Sequence, residues 1–436
     1  NHPYKPGPFF IMLPINTQPQ KVMLNLATLP EKIKLADLSL ARASDLKEAV
    51  KILRSYSRIV IKSGGGTRDH FKALRLFANE IGAPVILSPG STGVLSDTDP
   101  RNMHVGGSKG SISGNYAMQN ADAVIMIGTR AVCQADCSGA GYPNAKSVIN
   151  INGDFDDLTH YANTACLPGD ITATLEMLLE ELNGDTGKKL REPWLEECHA
   201  KKLEWGEFKT TRITAQPIFD EVWNCPVLTQ PSAIHTVAKF ANQIEAIKFF
   251  DAGDVQANGF QIVEDHQPDQ TFTETGASYM GFSGSALLCS AYLKNPKYGI
   301  AFTGDGSFMM NPQILIDAVE HGVKGMIALF DNRRMAAITG LQQIQYGKEF
   351  KTNDTVAVDY VAMANAVQGV RAIFGGNEVK DLQKALSEAH SHEGLSLVHI
   401  PVYAGNDQTA SMGAYGVWNV GNWVDDVQTQ HMKSNI

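Results

Sequence analysis

No stretch of this 436-residue chain approaches the roughly 20 consecutive apolar residues that a membrane-spanning helix requires. Positive charge is also scarce. There are 37 Lys and Arg against 46 Asp and Glu, a net of −9, and no Lys/Arg-rich run stands out, so there is no electrostatic footprint for nucleic acid. Cysteine is sparse: six irregularly spaced residues in a chain this size make no disulfide framework and read as reduced thiols of a cytoplasmic protein. The polar start Asn1-His2-Pro3 has neither the charged-then-apolar order of a signal peptide nor an initiating Met. Processing explains the missing Met; so does a chain that begins partway through a larger polypeptide.

What is present is globular. Hydrophobic residues make up 43% and charged residues 19%, enough for buried cores, and the length suggests two or three domains. In residues 1–25, Pro6-Gly7-Pro8 followed by Phe9-Phe10-Ile11-Met12-Leu13 predicts a turn and then a buried strand whose sheet must come from elsewhere. Residues 38–182 alternate strands (Arg58–Ile61, Pro84–Leu87, Ala121–Gly128, Ser147–Ile151) with helical stretches. One such helix carries Phe71, Leu74, Leu76, Phe77 and Ile81 and stops at Gly82. Residues 183–225 are charged and helix-prone, like a solvated connector. Alternation resumes in residues 226–436, ending in a tail where Gly413, Gly416 and Gly421 interleave with Tyr415, Trp418 and Trp423 as a core-sealing flap or a lid. The fold class expected is α/β, with two doubly wound, mostly parallel sheets.

The segment that carries chemistry runs from Tyr298 to Leu341. An apolar strand stops at Gly304-Asp305-Gly306-Ser307, where two glycines let the backbone turn and approach a phosphate. A helix follows, with Asn311 as N-cap, Pro312 at its first position, Ile314, Leu315, Ala318 and Val319 on one face, and Gly322 at its end. The next strand, Met326–Phe330, delivers Asp331-Asn332. Alone, an Asp or an Asn in such a place is a turn residue. Consecutive parallel strands of one βαβ unit, however, put both on the same sheet edge, where open α/β sheets bind ligands. A carboxylate, an amide oxygen and a backbone carbonyl there form a hard all-oxygen set suited to Mg²⁺.

Gly-Asp-Gly-Ser, a helix, and a strand ending in Asn 27 residues later resemble the signature of thiamine-diphosphate-dependent enzymes, the acetohydroxyacid synthase and pyruvate oxidase branch in particular. The resemblance implies thiamine diphosphate and Mg²⁺ as cofactors, with Asp305, the Asn332 side chain and the Arg334 backbone carbonyl on the metal. Thr275 to Phe282 resembles the family loop whose bulky apolar residue, here Met280, wedges between the cofactor rings and imposes a V shape. As a lone Met it would be core; its thioether also suits an aromatic ring. Phe249 to Gln256 resembles the diphosphate-contacting loop. Cofactor contacts are thereby implied for Gly253, Asp254, Gln256, Ser278, Met280, Gly304, Gly306, Ser307, Asn332 and Met335. Asp254 is awkward beside a diphosphate unless it faces the substrate.

Gly64-Gly65-Gly66, Gly106-Gly107 to Asn115, and Ala121-Asp122 to Gly128-Thr129-Arg130 follow the order of the family's central domain. That domain binds a flavin or other nucleotide in some relatives and is structural in many. No spaced G-x-G-x-x-G fingerprint is apparent here. Cys133-x-x-x-Cys137 has too few partners for a metal.

Pro6 to Asn16 resembles the end of the family's pyrimidine-binding domain. The rest of that domain, with the Glu that hydrogen-bonds the aminopyrimidine, is not in this sequence. A longer parent chain or a partner subunit is expected to supply it, in a homo-oligomer such as a dimer or tetramer. The activity implied is cleavage or formation of a C–C bond next to a carbonyl of a small molecule. Gly304 to Met310 and Leu329 to Asn332 look most like the trihydroxycyclohexanedione hydrolases, which open a cyclic diketone with water. The alternatives are an acetolactate-synthase-like 2-oxo acid decarboxylase or carboligase, for which Arg333 could bind the carboxylate, and a non-catalytic cofactor-binding subunit.

Overall fold

Apolar runs of five to seven residues form the centres of two sheets, because strands covered on both faces need no polar alternation. The computed structural model describes residues 10–31, 38–132, 134–274, 276–353, 356–413, 429 and 432–436. In the first sheet, β1 (Ile59–Ser63), β2 (Val85–Leu87), β3 (Asn102–Val105), β4 (Ala123–Ile127), β5 (Ser147–Asn152) and β6 (Thr164–Pro168) lie in the order β3-β2-β1-β4-β5-β6. A small antiparallel ribbon pairs β7 (Ile218–Asp220) with β8 (Cys225–Val227). The second sheet holds β9 (Ile247–Phe250), β10 (Thr271–Thr273), β11 (Gly299–Gly304), β12 (Gly325–Asp331), β13 (Arg371–Phe374) and β14 (Leu395–Pro401), in the order β10-β9-β11-β12-β14-β13. All pairings in both large sheets are parallel, so the class is α/β as expected.

Helices cover the sheets and one apolar core runs through both, from Ile59 and Phe77 by way of Trp205 to Phe250 and Ile300. The helix Phe71–Ile81 buries Leu74, Phe77, Ala78 and Ile81 and ends at Gly82 with φ +66°. Leu76 is on its exposed face, about 200° of helical rotation from Leu74.

Four expectations require correction or fall out of view. The segment at 311–322 becomes a helix only from Ile314 to Glu320, with Gln313 at its start. Asn311 does not cap it; its amide donates to Ser285 Oγ at 2.8 Å. Val319 is half-exposed rather than on the buried face. Phe10 to Leu13 are exposed and belong to no strand, since the described residues offer them no sheet; Pro6 to Phe9 lie outside those residues. The charged stretch after residue 183 is not simply solvated. It forms a 26-residue helix, Lys188–Ile213, that buries Trp194, Cys198 and Trp205. Trp194 Nε1 donates to Ile59 O at 3.1 Å, and the Arg191 guanidinium donates to the carbonyls of Leu53, Ile81 and Thr186. Of the aromatic tail, Tyr415, Gly416, Trp418, Gly421 and Trp423 lie outside the described residues, as does Cys133. Among the described residues no helix is long and apolar enough to cross a membrane.

Candidate functional site

β11 and β12 are adjacent and parallel, with Gly304 in register with Phe330, so their C-terminal ends deliver Asp305 and Asn332 to one edge of the sheet. Both side chains are buried, 4% and 7% exposed, yet both line a cavity of about 350 Å³. The cavity lies at the seam between the two sheets. Pro89, Val105, Ser108, Lys109 and Gln134 wall it from the first, and the ends of β9, β11 and β12 from the second.

All twelve residues named from the sequence border this one cavity. Gly253, Asp254 and Gln256 come from the turn after β9, and Ser278 and Met280 from the loop before β11. Gly304, Asp305, Gly306 and Ser307 come from the β11 end, and Asn332, Arg334 and Met335 from the β12 end. Their detailed roles differ. The Gln256 amide donates to Thr273 Oγ1 at 2.6 Å and to the Glu274 carbonyl, so it fixes the exit of β10. Ser307 Oγ donates to the Ala252 carbonyl at 3.1 Å, tying the β11 turn to the β9 turn. The two methionines flank Gly306: a Cβ built there would sit 3.1 Å from Met335 Sδ and 3.8 Å from Met280 Cε.

The Asn332 turn is internally braced. Asn332 Oδ1 accepts from the Arg334 N–H at 3.0 Å, and Asp331 Oδ1 accepts from the Arg333 N–H at 3.0 Å. Asp331 faces away from the cavity and pairs with His399 Nε2 at 2.9 Å, both side chains nearly buried. The Arg334 guanidinium is held by Glu349 Oε2, Asn353 Oδ1 and the Ala404 carbonyl, and its backbone carbonyl accepts from the Ala336 N–H at 2.9 Å. Arg333 is not among the residues that border the cavity.

The chemistry of this donor set fits a metal-diphosphate group. Gly253 has φ +101°, and a Cβ on it would meet nothing within 4 Å, so its backbone faces open space at the start of the helix Asp254–Ile262. Asp305, Asn332 and Arg334 all border the same space, and a carboxylate, an amide oxygen and a backbone carbonyl are hard oxygen ligands of the kind such a group takes. Among the described residues no three His, Cys, Asp or Glu side chains cluster to hold a metal by themselves, so any ion there needs ligands from the amide, the backbone and the bound group.

Sequence reasoning missed the residue that assembles the site. Asp251, at the end of β9, is fully buried. Its Oδ1 accepts from the Gly281 N–H at 2.8 Å and the Ala252 N–H at 3.1 Å. Its Oδ2 accepts from Ser283 Oγ at 2.9 Å and Thr303 Oγ1 at 2.8 Å. One carboxylate thereby joins β9, the Met280 loop and the end of β11. Burial pushes its carboxyl above the usual carboxylate range, against the pull of these four donors. A strand-end acid before a glycine turn was the available signal. Asp251→Leu would strand the Gly281 amide and two hydroxyls, at about 1–3 kcal/mol for each buried group left unpaired. A melting temperature lower by roughly 5–15 °C is expected, with Asp251→Asn well under half of that, since Asn still accepts at one oxygen and both hydroxyls can reorient. Thermal unfolding of the two variants checks this; equal melting of Leu and wild type would remove the clamp.

A second cavity, about 630 Å³, lies beyond the ends of β1, β4 and β5, bordered by Gly64, Gly128, Arg130, Asn152 and Asp154. The strand order there is that of doubly wound dinucleotide folds. The glycines, though, are accounted for by packing, since a Cβ on Gly66 would stand 3.1 Å from Gly128 Cα. No ribose-binding acid ends β2, whose Leu87 is followed by Ser88.

The chain is similar in sequence to known proteins. The thiamine pyrophosphate enzyme central domain matches residues 46–178, and the thiamine pyrophosphate enzyme C-terminal TPP binding domain matches residues 251–400. A 3D-(3,5/4)-trihydroxycyclohexane-1,2-dione hydrolase of Lacticaseibacillus casei is 26% identical over 446 residues, spanning 96% of this chain and 68% of that protein. The protein of the same name from Listeria monocytogenes serotype 4b is 25% identical over the same shares. A probable acetolactate synthase large subunit of Methanococcus aeolicus is 24% identical, over 88% of this chain and 65% of its own length. With both matched domains found as adjoining parallel sheets, and Asp305 and Asn332 on the edge of the second, this chain belongs to the thiamine-pyrophosphate-dependent enzyme family.

Proposed function

We propose that the protein binds thiamine diphosphate through Mg²⁺ and cleaves a C–C bond adjacent to a carbonyl, opening a cyclic diketone with water. The observation that carries this is the delivery of Asp305 and Asn332 by adjacent parallel strands to one cavity. In this reading Asp305, the Asn332 side-chain oxygen and the Arg334 carbonyl hold the metal. Gly253, Gly304 and Gly306 offer backbone to the diphosphate, and Met280 holds the ring end. The cofactor supplies an electron sink for cleavage beside a carbonyl. The chain's own residues orient it and shield it from water. The hydrolase names among the relatives favour the dione, and Arg333 standing off the cavity weakens the 2-oxo acid alternative.

The open side of the cavity is taken to be closed by a pyrimidine-binding domain, from the same parent polypeptide or from a partner subunit in a homo-oligomer. Tyr279, Met309 and Met310 support this: they are 56%, 43% and 60% exposed beside the Met280 loop, an apolar rim suited to burial by a second domain.

The test is turnover. In the completed assembly, with Mg²⁺ and thiamine diphosphate, a trihydroxycyclohexane-1,2-dione should yield a ring-opened acid carrying one oxygen from ¹⁸O-labelled water. Pyruvate should release little CO₂. This chain alone, saturated with both cofactors, should do neither. Rapid CO₂ release with no dione consumption would move the assignment to the 2-oxo acid class, and turnover by the chain alone would place the activating acid within it.

A further inference from the structure

The turn from Asn332 to Arg334, which supplies two of the three ligands in the metal site proposed above, is shaped by two side-chain braces of the same kind. Asp331 Oδ1 accepts from the Arg333 N–H, and Asn332 Oδ1 accepts from the Arg334 N–H, each at 3.0 Å. Between them Arg333 holds φ +51°, a left-handed backbone that a non-glycine residue keeps only where its surroundings impose it. That conformation sets the direction of the chain after Asn332, and with it the place of the Arg334 carbonyl.

The two braces have different obligations. Asn332 Oδ1 is also the oxygen assigned to Mg²⁺, so its bond to the Arg334 N–H must be shared with the metal. Asp331 has no such second duty, because it is buried and is not among the residues that border the cavity. Its brace on Arg333 is therefore the one that holds the turn when the metal is bound.

What holds Asp331 is His399. Leu329 of β12 is in register with His399 of β14, so Asp331 and His399 lie diagonally on one face of the sheet. A carboxylate only accepts, so His399 Nε2 is the donor to Asp331 Oδ2, at 2.9 Å. The rings of Tyr360, Trp223 and Phe374 wall the imidazole, with centroids 5.4, 5.9 and 6.0 Å away. That face is otherwise apolar, with Ile327, Leu329, Leu395 and Leu397 in one core. An imidazole and a carboxylate buried together contribute little net stability compared with apolar side chains of the same size, so stability alone does not call for them there. They do fix one orientation of the Asp331 carboxylate.

We propose that His399 is a positioning residue for the metal site: through Asp331 it locks the left-handed Arg333 and keeps the Asn332–Arg334 turn in its metal-ligating shape. His399 itself touches neither metal nor cofactor. This inference rests on the reading of Asn332 and Arg334 as Mg²⁺ ligands, and it adds a determinant of that site from outside the cavity.

The experiment titrates the full chain with inorganic diphosphate by calorimetry, in Mg²⁺ and then in Ca²⁺, at a temperature where circular dichroism shows each variant folded. Asp331→Asn keeps an oxygen for the Arg333 N–H and an amide for His399, and should bind within about threefold of wild type. Adding His399→Leu to Asp331→Asn leaves no buried carboxylate unpaired, yet should weaken Mg²⁺-dependent binding by at least about tenfold, the usual weight of a group that orients a metal ligand. His399→Gln alone keeps a donor for Asp331 and should stay within about threefold of wild type. With Ca²⁺ the double variant should lose less than about threefold, because Ca²⁺ tolerates irregular coordination whereas Mg²⁺ demands a near-ideal octahedron. A residue that only stabilised the fold would not change the preference between the two ions. Mg²⁺-dependent affinity within threefold of wild type in the double variant would overturn the role given to His399. So would equal losses with both ions, or a tenfold loss in His399→Gln; in each case the cofactor reading stands. Wild-type affinity for diphosphate that does not depend on a divalent cation would overturn that reading, and this inference with it.

Discussion

Asp305→Ala is expected to abolish Mg²⁺-dependent binding of thiamine diphosphate, weakening it by at least about 100-fold, or roughly 2.8 kcal/mol at about 1.4 kcal/mol per decade. The reasoning starts from ligand type. Of the three protein oxygens proposed around the metal, two are neutral (the Asn332 amide and the Arg334 carbonyl) and only Asp305 brings charge. Its carboxylate is 4% exposed, at the C-terminal end of β11, so bulk water cannot readily replace it. Asp305→Asn keeps shape and one oxygen and should fall between the two. Calorimetric titration with thiamine diphosphate, in Mg²⁺ and then in excess EDTA, separates the contributions. Wild type should lose affinity on chelation, whereas Asp305→Ala should be weak in both. An Ala variant whose affinity still depends on Mg²⁺ as strongly as wild type would take Asp305 off the metal.

How much of this was legible beforehand depended on how local the signal was. β11 and β12 could be read because each is an apolar run ending in residues with a distinct job, and the register that brings Asp305 and Asn332 to one edge follows from two parallel neighbours. Strands at the sheet margins were harder. β3 contains Asn102 and His104, the latter at φ +61°, and β6 alternates buried and half-buried positions as an edge strand does, so neither presents an apolar run. The helix Lys188–Ile213 carried enough charge to look solvated, while a few widely spaced residues, Trp194, Cys198 and Trp205, decide its packing. The N-cap expected of Asn311 is not formed because the helix begins only at Ile314, and the Asn311 amide nitrogen instead donates to Ser285, 26 residues earlier.

The site follows the same rule. Motif residues were visible because their spacing is set within one βαβ unit. Asp251 was passed over because its partners lie 30 to 52 residues away, at Gly281, Ser283 and Thr303. Tertiary positioning, in each case, is what sequence periodicity does not encode.

Met280→Ala, made in the complete enzyme, is expected to lower kcat by roughly 100-fold, the cost of misplacing reacting groups by about 1 Å, while leaving metal-dependent cofactor affinity mostly intact. In the proposed binding mode, anchoring through Asp305 and Asn332 would fix only the diphosphate end. The bent arrangement of the rings needs a bulky apolar wedge, and Met280 borders the cavity with its Cε close to the Gly306 backbone. The loop that carries it is held from both sides: the Glu274 carboxylate accepts from the Gly276 and Tyr279 N–H groups, and Asp251 accepts from Gly281 N–H. A wedge on so constrained a backbone can hold a conformation rather than follow it. Met280→Leu keeps the volume and should retain much of the rate, since volume-conserving apolar swaps cost under about 1.5 kcal/mol. Were Met280 simply core, truncation would instead appear as lost stability, about 2–5 kcal/mol for a fully buried side chain. Met280 is only half-buried, which already argues for a smaller loss of that kind. Turnover, cofactor affinity and melting temperature measured together on both variants decide between the roles. An Ala variant that melts early but turns over normally while folded would return Met280 to the core and leave the ring geometry to another residue.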